Sequence, residues 1–167
     1  MQAKNPKDVF VLLLSHARQN TERTTGLYEE MSQIVQDPDV KEGLESRAFV
    51  SQKVLSQIDQ CFKLLGETPV KLEGRLQAIF AEDFRRELAE IQNPAARRLF
   101  ILAKASQLAN LRIAEFAILT AAADLTSHYG VSVLLESCLA DTVAFVERTR
   151  RLIRKTIEGK VAEKIAA

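Results

Sequence analysis

Helix start and stop signals divide this sequence into a few very long segments, and that division constrains the fold more than any other feature. The dipeptides Asn-Pro at 5–6, Asp-Pro at 37–38 and Asn-Pro at 93–94 each place a capping side chain before a proline at the first helical position. Gly66 is typical of a helix end. Apolar residues between these signals recur with the period of a helix, and no stretch alternates as a strand would. The sequence therefore predicts an all-α protein.

Four long helices and one short helix are expected within a single domain that covers residues 1–167. The long link between the second and third long helices holds the short helix and leaves room for a crossover, whereas the other links are short and favour antiparallel neighbours. The last residues, 158–167, are expected to form a polar, frayed tail. The predicted ranges are about 6–36, 38–65, 73–91 (the short helix), 94–125 and 129–158.

Charge and cysteine content exclude several classes of protein. The 23 basic and 22 acidic residues leave a net charge of +1, which favours neither a nucleic acid nor an anionic membrane as partner. Cys61 and Cys138 are too few for a disulfide framework, and their inward positions predict buried, inert thiols. The apolar run at 9–14 is too short for a signal peptide or a membrane span. We therefore expect a cytoplasmic protein.

The inward face of each long helix changes character at its middle. Large apolar residues occupy both ends of each face, and antiparallel packing would bring the four middles to a similar height. Small residues at that level can simply let helices approach closely, but a buried arginine with a nearby aspartate calls for another explanation, because lone buried charges are strongly penalised. The small or polar middles are Thr21 and Thr24, Arg47 and Ser51, Ser106 and Ala109, and Asp141 and Thr142.

The chain resembles the YciE/YciF family of bacterial ferritin-like proteins over nearly its whole length. The resemblance begins at "KDVFVLLLS" (7–15) and continues to "SQIDQ" (56–60). It resumes in "RIAEF" (112–116) and "LLESCLADT" (134–142). It implies a ferritin-like antiparallel four-helix bundle with an additional short helix, usually dimeric, associated with stress responses and often able to hold a di-metal centre.

Most of the metal ligands that the resemblance implies are replaced in this chain. Asp141 is the one expected ligand that remains a carboxylate, whereas a di-metal centre needs about six carboxylate and imidazole ligands. Glu22 and Glu115 lie near that level but off the inward seam. The positions that correspond to the ligand layer are Thr21, Arg47, Val50, Ala109, Asn110, Arg112, Asp141 and Thr142.

The replacements suggest that fixed cations stand where bound metal ions would be. One hypothesis is that an arginine enters the layer and pairs bidentately with Asp141, with the remaining donors satisfied by side chains at Thr21, Ser51, Asn110 and Thr142. The alternative is that both arginines reach solvent along the helix flanks. We expect the internal role for Arg47, which lies on the inward seam, and leave both roles open for Arg112.

These observations favour a non-enzymatic, metal-free structural or stress-associated protein without a cofactor. No catalytic residues are identified, because the sequence holds no nucleophile beside a histidine, no phosphate loop and no metal-binding motif. The alternative is a ferritin-like iron or manganese protein, or an oxidase, whose displaced and incomplete site would be formed by Asp141, Glu22 and Glu115.

Phe49 is the clearest sign of an interaction surface. It points away from the inward face of the second helix, at a position where the resemblance implies an acid. We expect it to lie beneath the short helix or in the interface of a homodimer. A third option is contact with an unidentified protein partner. The short helix has its own apolar stripe, which must also pack: Leu72, Leu76, Ile79, Phe80 and Phe84.

Overall fold

Five α-helices make up the structure, a computed structural model that describes the backbone of residues 5–166 and the side chains of residues 5–159. No strand occurs within that part of the chain, so the all-α prediction is confirmed. The helices are α1 (Pro6–Ile34), α2 (Pro38–Leu65), α3 (Arg75–Glu90), α4 (Pro94–Leu125) and α5 (Tyr129–Ala166).

The helix boundaries follow the predicted capping signals. Asn5, Asp37 and Asn93 each accept a hydrogen bond from the backbone N–H three residues on, at 2.9, 3.1 and 3.1 Å. Gly66 ends α2 in the left-handed conformation, with φ of +66°. The predicted end of the last helix near residue 158 is wrong, since α5 continues to Ala166.

The four long helices pack side by side into a helical bundle. Helix α1 contacts α2 and α4, and α5 contacts the same two helices from the other side. The short helix α3 packs on α1 and α4. The preceding loop is tied to α1, because Val70 N–H donates to Ser15 Oγ at 2.9 Å and Gln19 Nε2 donates to the Leu72 carbonyl at 2.6 Å.

Only the second half of α3 is packed as its apolar stripe predicts. Phe84 and Leu88 are buried, whereas Leu76 is 63% exposed and Ile79 is 52% exposed. Phe84 stacks on Phe100 of α4 with ring centroids 6.0 Å apart. The N-terminal half of α3 therefore leaves apolar surface in solvent.

Two apolar clusters form the core. One contains Tyr28, Leu44, Leu102 and Phe145, and the other contains Leu14, Ile58, Phe116 and Leu135, each with further neighbours. Small and polar side chains lie in each of the four long helices between the parts that build these clusters. This confirms the predicted change from large apolar to small or polar residues in the middle of the helices.

Helix α5 contains a long apolar stretch, although it packs against other helices. Residues 129–159 contain an 18-residue window with mean hydropathy 1.5, long and apolar enough to cross a membrane, and 39% of that window is buried inside the bundle. Length and hydropathy of a single helix are weak evidence, because core helices of soluble proteins meet the same criteria. In this structure α5 packs against α2 and α4.

Candidate functional site

A buried polar layer is the most unusual feature of the bundle. Four helices contribute to it, and each contributing side chain is at most 3% exposed. Buried arginines are rare unless they are paired, so the partners of the two arginines determine what this layer can do. The layer comprises Thr21 and Thr24 of α1, Arg47 and Ser51 of α2, Arg112 of α4 and Thr142 of α5.

Arg47 lies inside the bundle, as the sequence predicts, between two aromatic rings. Its guanidinium carbon is 5.8 Å from the centroid of the Tyr28 ring and 5.5 Å from that of Phe145. Its Nη2 donates a hydrogen bond of 3.3 Å to Thr142 Oγ1. These contacts are cation–π interactions and one neutral hydrogen bond, so among the described residues Arg47 has no negatively charged partner.

Arg112 is also internal, and it does have such a partner. Its side chain is 2% exposed, and its Nη2 donates to Glu115 Oε1 at 2.7 Å. Asn20 Nδ2 donates to the same oxygen at 2.8 Å. Burial raises the pKa of Glu115, while Arg112 and Asn20 act to lower it. The question that the sequence left open for Arg112 is thus resolved in favour of the interior.

Several polar atoms in this layer and beside it have no hydrogen-bond partner among the described residues. Nε and Nη1 of both Arg47 and Arg112 are buried and unpaired within the described chain, as are Tyr28 Oη and Glu115 Oε2. Burial also raises the pKa of Tyr28, with Arg47 lowering it by less, so the phenol stays protonated. Buried polar atoms without partners are costly, and their concentration here marks the layer as a candidate site.

The predicted pairing of an arginine with Asp141 is wrong. Asp141 lies on α5 at the edge of the bundle, and its Oδ2 accepts a hydrogen bond of 2.9 Å from Lys53 Nζ. The physical reason is position: Asp141 is only partly buried, so the exposed amine of Lys53 reaches it at little cost in desolvation. Arg112 takes the carboxylate of Glu115 instead.

Only one of the other predicted hydrogen-bond partners of the arginines forms such a bond. Thr142 accepts a hydrogen bond from Arg47, but Thr21 and Ser51 donate to carbonyls of their own helices at 2.8 and 2.9 Å. Asn110 is exposed, which contradicts its expected inward position, and its Nδ2 donates to the Ser106 carbonyl at 2.8 Å. The remaining two positions are Ala109, which is buried, and Val50, which is half-buried.

The residues present do not fit the di-metal centre that the resemblance implies. Two guanidinium groups occupy the layer, and positive charge in a low-dielectric interior repels a metal cation. The three acids of the alternative site do not converge: each binds a separate basic residue, Glu22 to Arg18, Asp141 to Lys53 and Glu115 to Arg112. Across the described residues, no group of three histidines, cysteines or acids could hold a metal ion.

The cysteines offer no reactive thiol. Cys61 and Cys138 are free and fully buried, as predicted. Burial raises the pKa of each thiol to about 12. Both are therefore protonated near neutral pH and act as packing residues.

The residues that sequence reasoning missed are the partners rather than the arginines. The sequence places Glu115 off the inward seam, but its spacing of three from Arg112 is that of facing side chains and indicates this pair. Asn20 and Lys53 come from other helices, and no local pattern indicates them. Phe49 is 75% exposed, so the prediction that α3 covers it is wrong.

Comparison with known proteins agrees with this architecture. Residues 5–162 match the family described as "Domain of unknown function (DUF892)". No curated protein sequence matches the chain. Among solved structures, the Escherichia coli stress protein YciF has a TM-score of 0.88 and 16% sequence identity, and the match covers 93% of this chain and 99% of YciF.

Two further structures have the same fold. YcfI from Rhodopseudomonas palustris, described as a proposed structural protein, has a TM-score of 0.85 and 21% identity over 89% of this chain and 95% of its own. A Xanthomonas campestris pv. campestris protein has a TM-score of 0.72 and 16% identity over 93% and 99%. The resemblance to the YciE/YciF family is thereby confirmed, and the chain belongs to the DUF892 family.

Proposed function

We propose that this protein is a non-enzymatic, metal-free structural or stress-associated protein. Its fold in this proposal is a ferritin-like antiparallel four-helix bundle with α3 as the additional short helix. The observation that carries the proposal is the burial of Arg47 and Arg112 in the layer where the resemblance implies metal ligands. Each guanidinium supplies a fixed positive charge in place of a bound metal ion. The description of the structurally similar YciF as a stress protein supports the role in stress.

Metal content after expression with added iron and manganese tests this proposal. We expect less than a tenth of an equivalent of either metal per chain, and the same melting temperature with and without chelator, because a bound metal would stabilise the folded state by linkage. Stoichiometric iron or manganese would contradict the proposal. In that event, loss of the metal in Asp141→Asn and its retention in Glu67→Gln, an acid outside the proposed site, would assign the metal to the alternative site.

We propose a homodimer in the cytoplasm as the working form, with Phe49 in the interface. The 75% exposure of Phe49 supports this, because burying a large aromatic ring between two subunits removes apolar surface from water. Two free, buried cysteines agree with a reducing compartment. We also propose that α5 is a helix of the bundle rather than a membrane span, and that nucleic acids are not partners.

Molar mass in solution tests the interface. We expect Phe49→Ser to shift the mass measured by light scattering towards that of a monomer. Leu64→Ser is the matched control, because Leu64 is 61% exposed on the same helix, and its mass should remain that of a dimer. An unchanged mass in Phe49→Ser would contradict the proposed interface and favour contact with another protein.

A further inference from the structure

Arg47 is a buried cation without a neutralising partner. Its side chain is 3% exposed, and no carboxylate oxygen of the described chain lies within 4.0 Å of its guanidinium nitrogens. Within the described residues its hydrogen bond goes to the neutral hydroxyl of Thr142, and Nε and Nη1 have no partner there. An arginine side chain keeps its charge even when buried, so deprotonation does not remove the free-energy cost of burying that charge.

Water alone would not resolve this arrangement. Water molecules would satisfy the unpaired N–H groups but would leave the positive charge without a counter-charge, and an unpaired buried ion is among the costliest features of a protein interior. The aromatic rings of Tyr28 and Phe145 compensate only part of the charge. A small anion provides both the hydrogen-bond acceptors and the missing charge.

A cleft between α2 and α5 leads from the surface to Arg47. Its volume is about 210 Å³, several times the roughly 30 Å³ that one water molecule occupies in the liquid. Arg47, Gly43 and Phe145 are the buried residues of its lining, and Val50, Asp141 and Arg148 are partly exposed. The cleft is therefore large enough for a small anion, and Arg47 is one of the residues that line it.

The other charged residues around this cleft already neutralise one another. Asp141 pairs with Lys53 at 2.9 Å, and Arg148 pairs with Glu42 at 3.0 Å. These two pairs contribute no net charge, so Arg47 leaves an excess of one positive charge at the cleft. Electrostatic complementarity thus favours a ligand with a single negative charge.

We propose that the cleft between α2 and α5 binds a small monovalent anion, a halide or a small carboxylate, which neutralises Arg47. This inference rests on the proposed metal-free layer, because bound metal ions would repel Arg47 and recruit different ligands. Metal analysis tests the proposed function, and anion dependence tests the site, so the two can fail separately.

The melting temperature of the full chain at constant ionic strength tests the proposal. Sodium gluconate, whose anion is much larger than chloride or formate, is replaced stepwise by sodium chloride in one series and by sodium formate in another. We expect a saturable rise of about 5–10 °C at a hundredfold excess over the dissociation constant, in one or both series. A rise with formate alone identifies a carboxylate site. Equal melting temperatures in all three anions would overturn the proposal.

Two variants assign the effect to Arg47. In Arg47→Met the anion-dependent rise should disappear. Arg18→Met removes an arginine that pairs with Asp59 at 2.7 Å outside the cleft, and it should keep the full rise. A rise of the same size in Arg47→Met would overturn the proposal.

A crystal grown or soaked in bromide locates the anion without a variant. The anomalous signal of bromide should give a peak within hydrogen-bond distance of an Arg47 guanidinium nitrogen. Bromide peaks confined to the protein surface would contradict the assignment, even if chloride stabilises the protein.

Discussion

The two buried arginines have nearly the same exposure and very different partners. Arg112 is 2% exposed and binds the carboxylate of Glu115, three residues further along the same helix. Arg47 is 3% exposed and contacts two aromatic rings and the hydroxyl of Thr142, all from other helices. The charge of Arg112 is neutralised within its own helix. The contacts of Arg47 form only where three helices pack together.

This difference shows that burial alone does not say what an arginine contributes. Removing one partner of a buried ion pair leaves the other charge unpaired in a low-dielectric interior and destabilises the fold. Removing a buried charge that has no partner instead eliminates the free-energy cost of burying it. The two arginines should therefore respond in opposite ways when the layer is perturbed, and the following predictions test that contrast.

The largest effect is expected from Glu115→Leu. The substitution leaves Arg112 as an unpaired cation, and we expect the free energy of unfolding to fall by about 3 kcal/mol, the lower end for a broken buried pair because Glu115 is partly exposed. Urea denaturation measures the loss. Glu22→Leu is the control: Glu22 is largely exposed and 3.5 Å from Arg18, so the change should be within about 0.5 kcal/mol. Equal losses of stability in the two variants would contradict the claim that the pair of Arg112 and Glu115 matters more than an exposed pair.

A smaller effect is expected from Thr142→Val. The substitution removes the one hydrogen-bond acceptor of Arg47, and an unsatisfied buried donor costs about 1–2 kcal/mol. Thr149→Val is a matched control, because Thr149 is equally buried on α5 and donates, as Thr142 also does, to the carbonyl four residues before it. Thermal unfolding of both variants gives the difference. If Thr149→Val loses as much stability as Thr142→Val, the hydrogen bond to Arg47 contributes nothing measurable to the free energy of unfolding.

Arg47→Met is expected to change stability by less than about 1 kcal/mol in chloride-free buffer, or to raise it. Methionine keeps most of the volume, and the lost ring contacts are offset by removal of an unpaired charge. Arg112→Met should cost more in the same buffer, since it leaves Glu115 partly buried without its cation. Denaturation curves of the two variants decide the order, and a larger loss in Arg47→Met would reverse our interpretation of both sites.

The smallest effect concerns pH. Burial raises the pKa of Glu115 above its ordinary 4.5, although Arg112 and Asn20 lower it, so the folded protein holds that proton more tightly than the unfolded chain does. The stability of the wild type relative to Glu115→Gln should therefore decline as pH rises from about 4.5 through the folded pKa, and then level off. The wild type relative to Arg47→Met should show no such change over the same range, because Arg47 has no carboxylate partner. A relative stability of the wild type over Glu115→Gln that rises over this interval would mean that Arg112 outweighs burial.

Most of the fold could be predicted from the sequence because its signals are local. The caps at Asn5, Asp37 and Asn93 act within one helical turn, and so does the left-handed stop at Gly66. The predicted end of α5 near residue 158 is too early, because a glycine such as Gly159 is typical of a helix end, although this helix continues through it. A single glycine weakens a helix by only about 1 kcal/mol, which the rest of a long helix can absorb.

The candidate site was predicted less well, because its geometry depends on how each helix is rotated. Successive residues of a helix are about 100° apart, so an error of one position moves a side chain from the core to solvent. Asn110 was expected inside and is exposed, while Arg112, two positions later, is buried. The sequence identified the height of the layer and several of its side chains, Arg47 and Thr142 among them, but it placed Asn110 inside and left Arg112 open.

What the sequence by itself determined is the all-α class, the division into helices and the presence of a polar level between two apolar ends. These depend on spacing along one chain and on contacts within a helical turn. What only the tertiary structure decided is which side chains of other helices meet each charge: Asn20 for Glu115, Lys53 for Asp141, and two rings with a hydroxyl for Arg47. Contacts between helices depend on rotation and relative height, and a difference of a few ångströms selects one carboxylate over another because electrostatic attraction and hydrogen bonding act at short range.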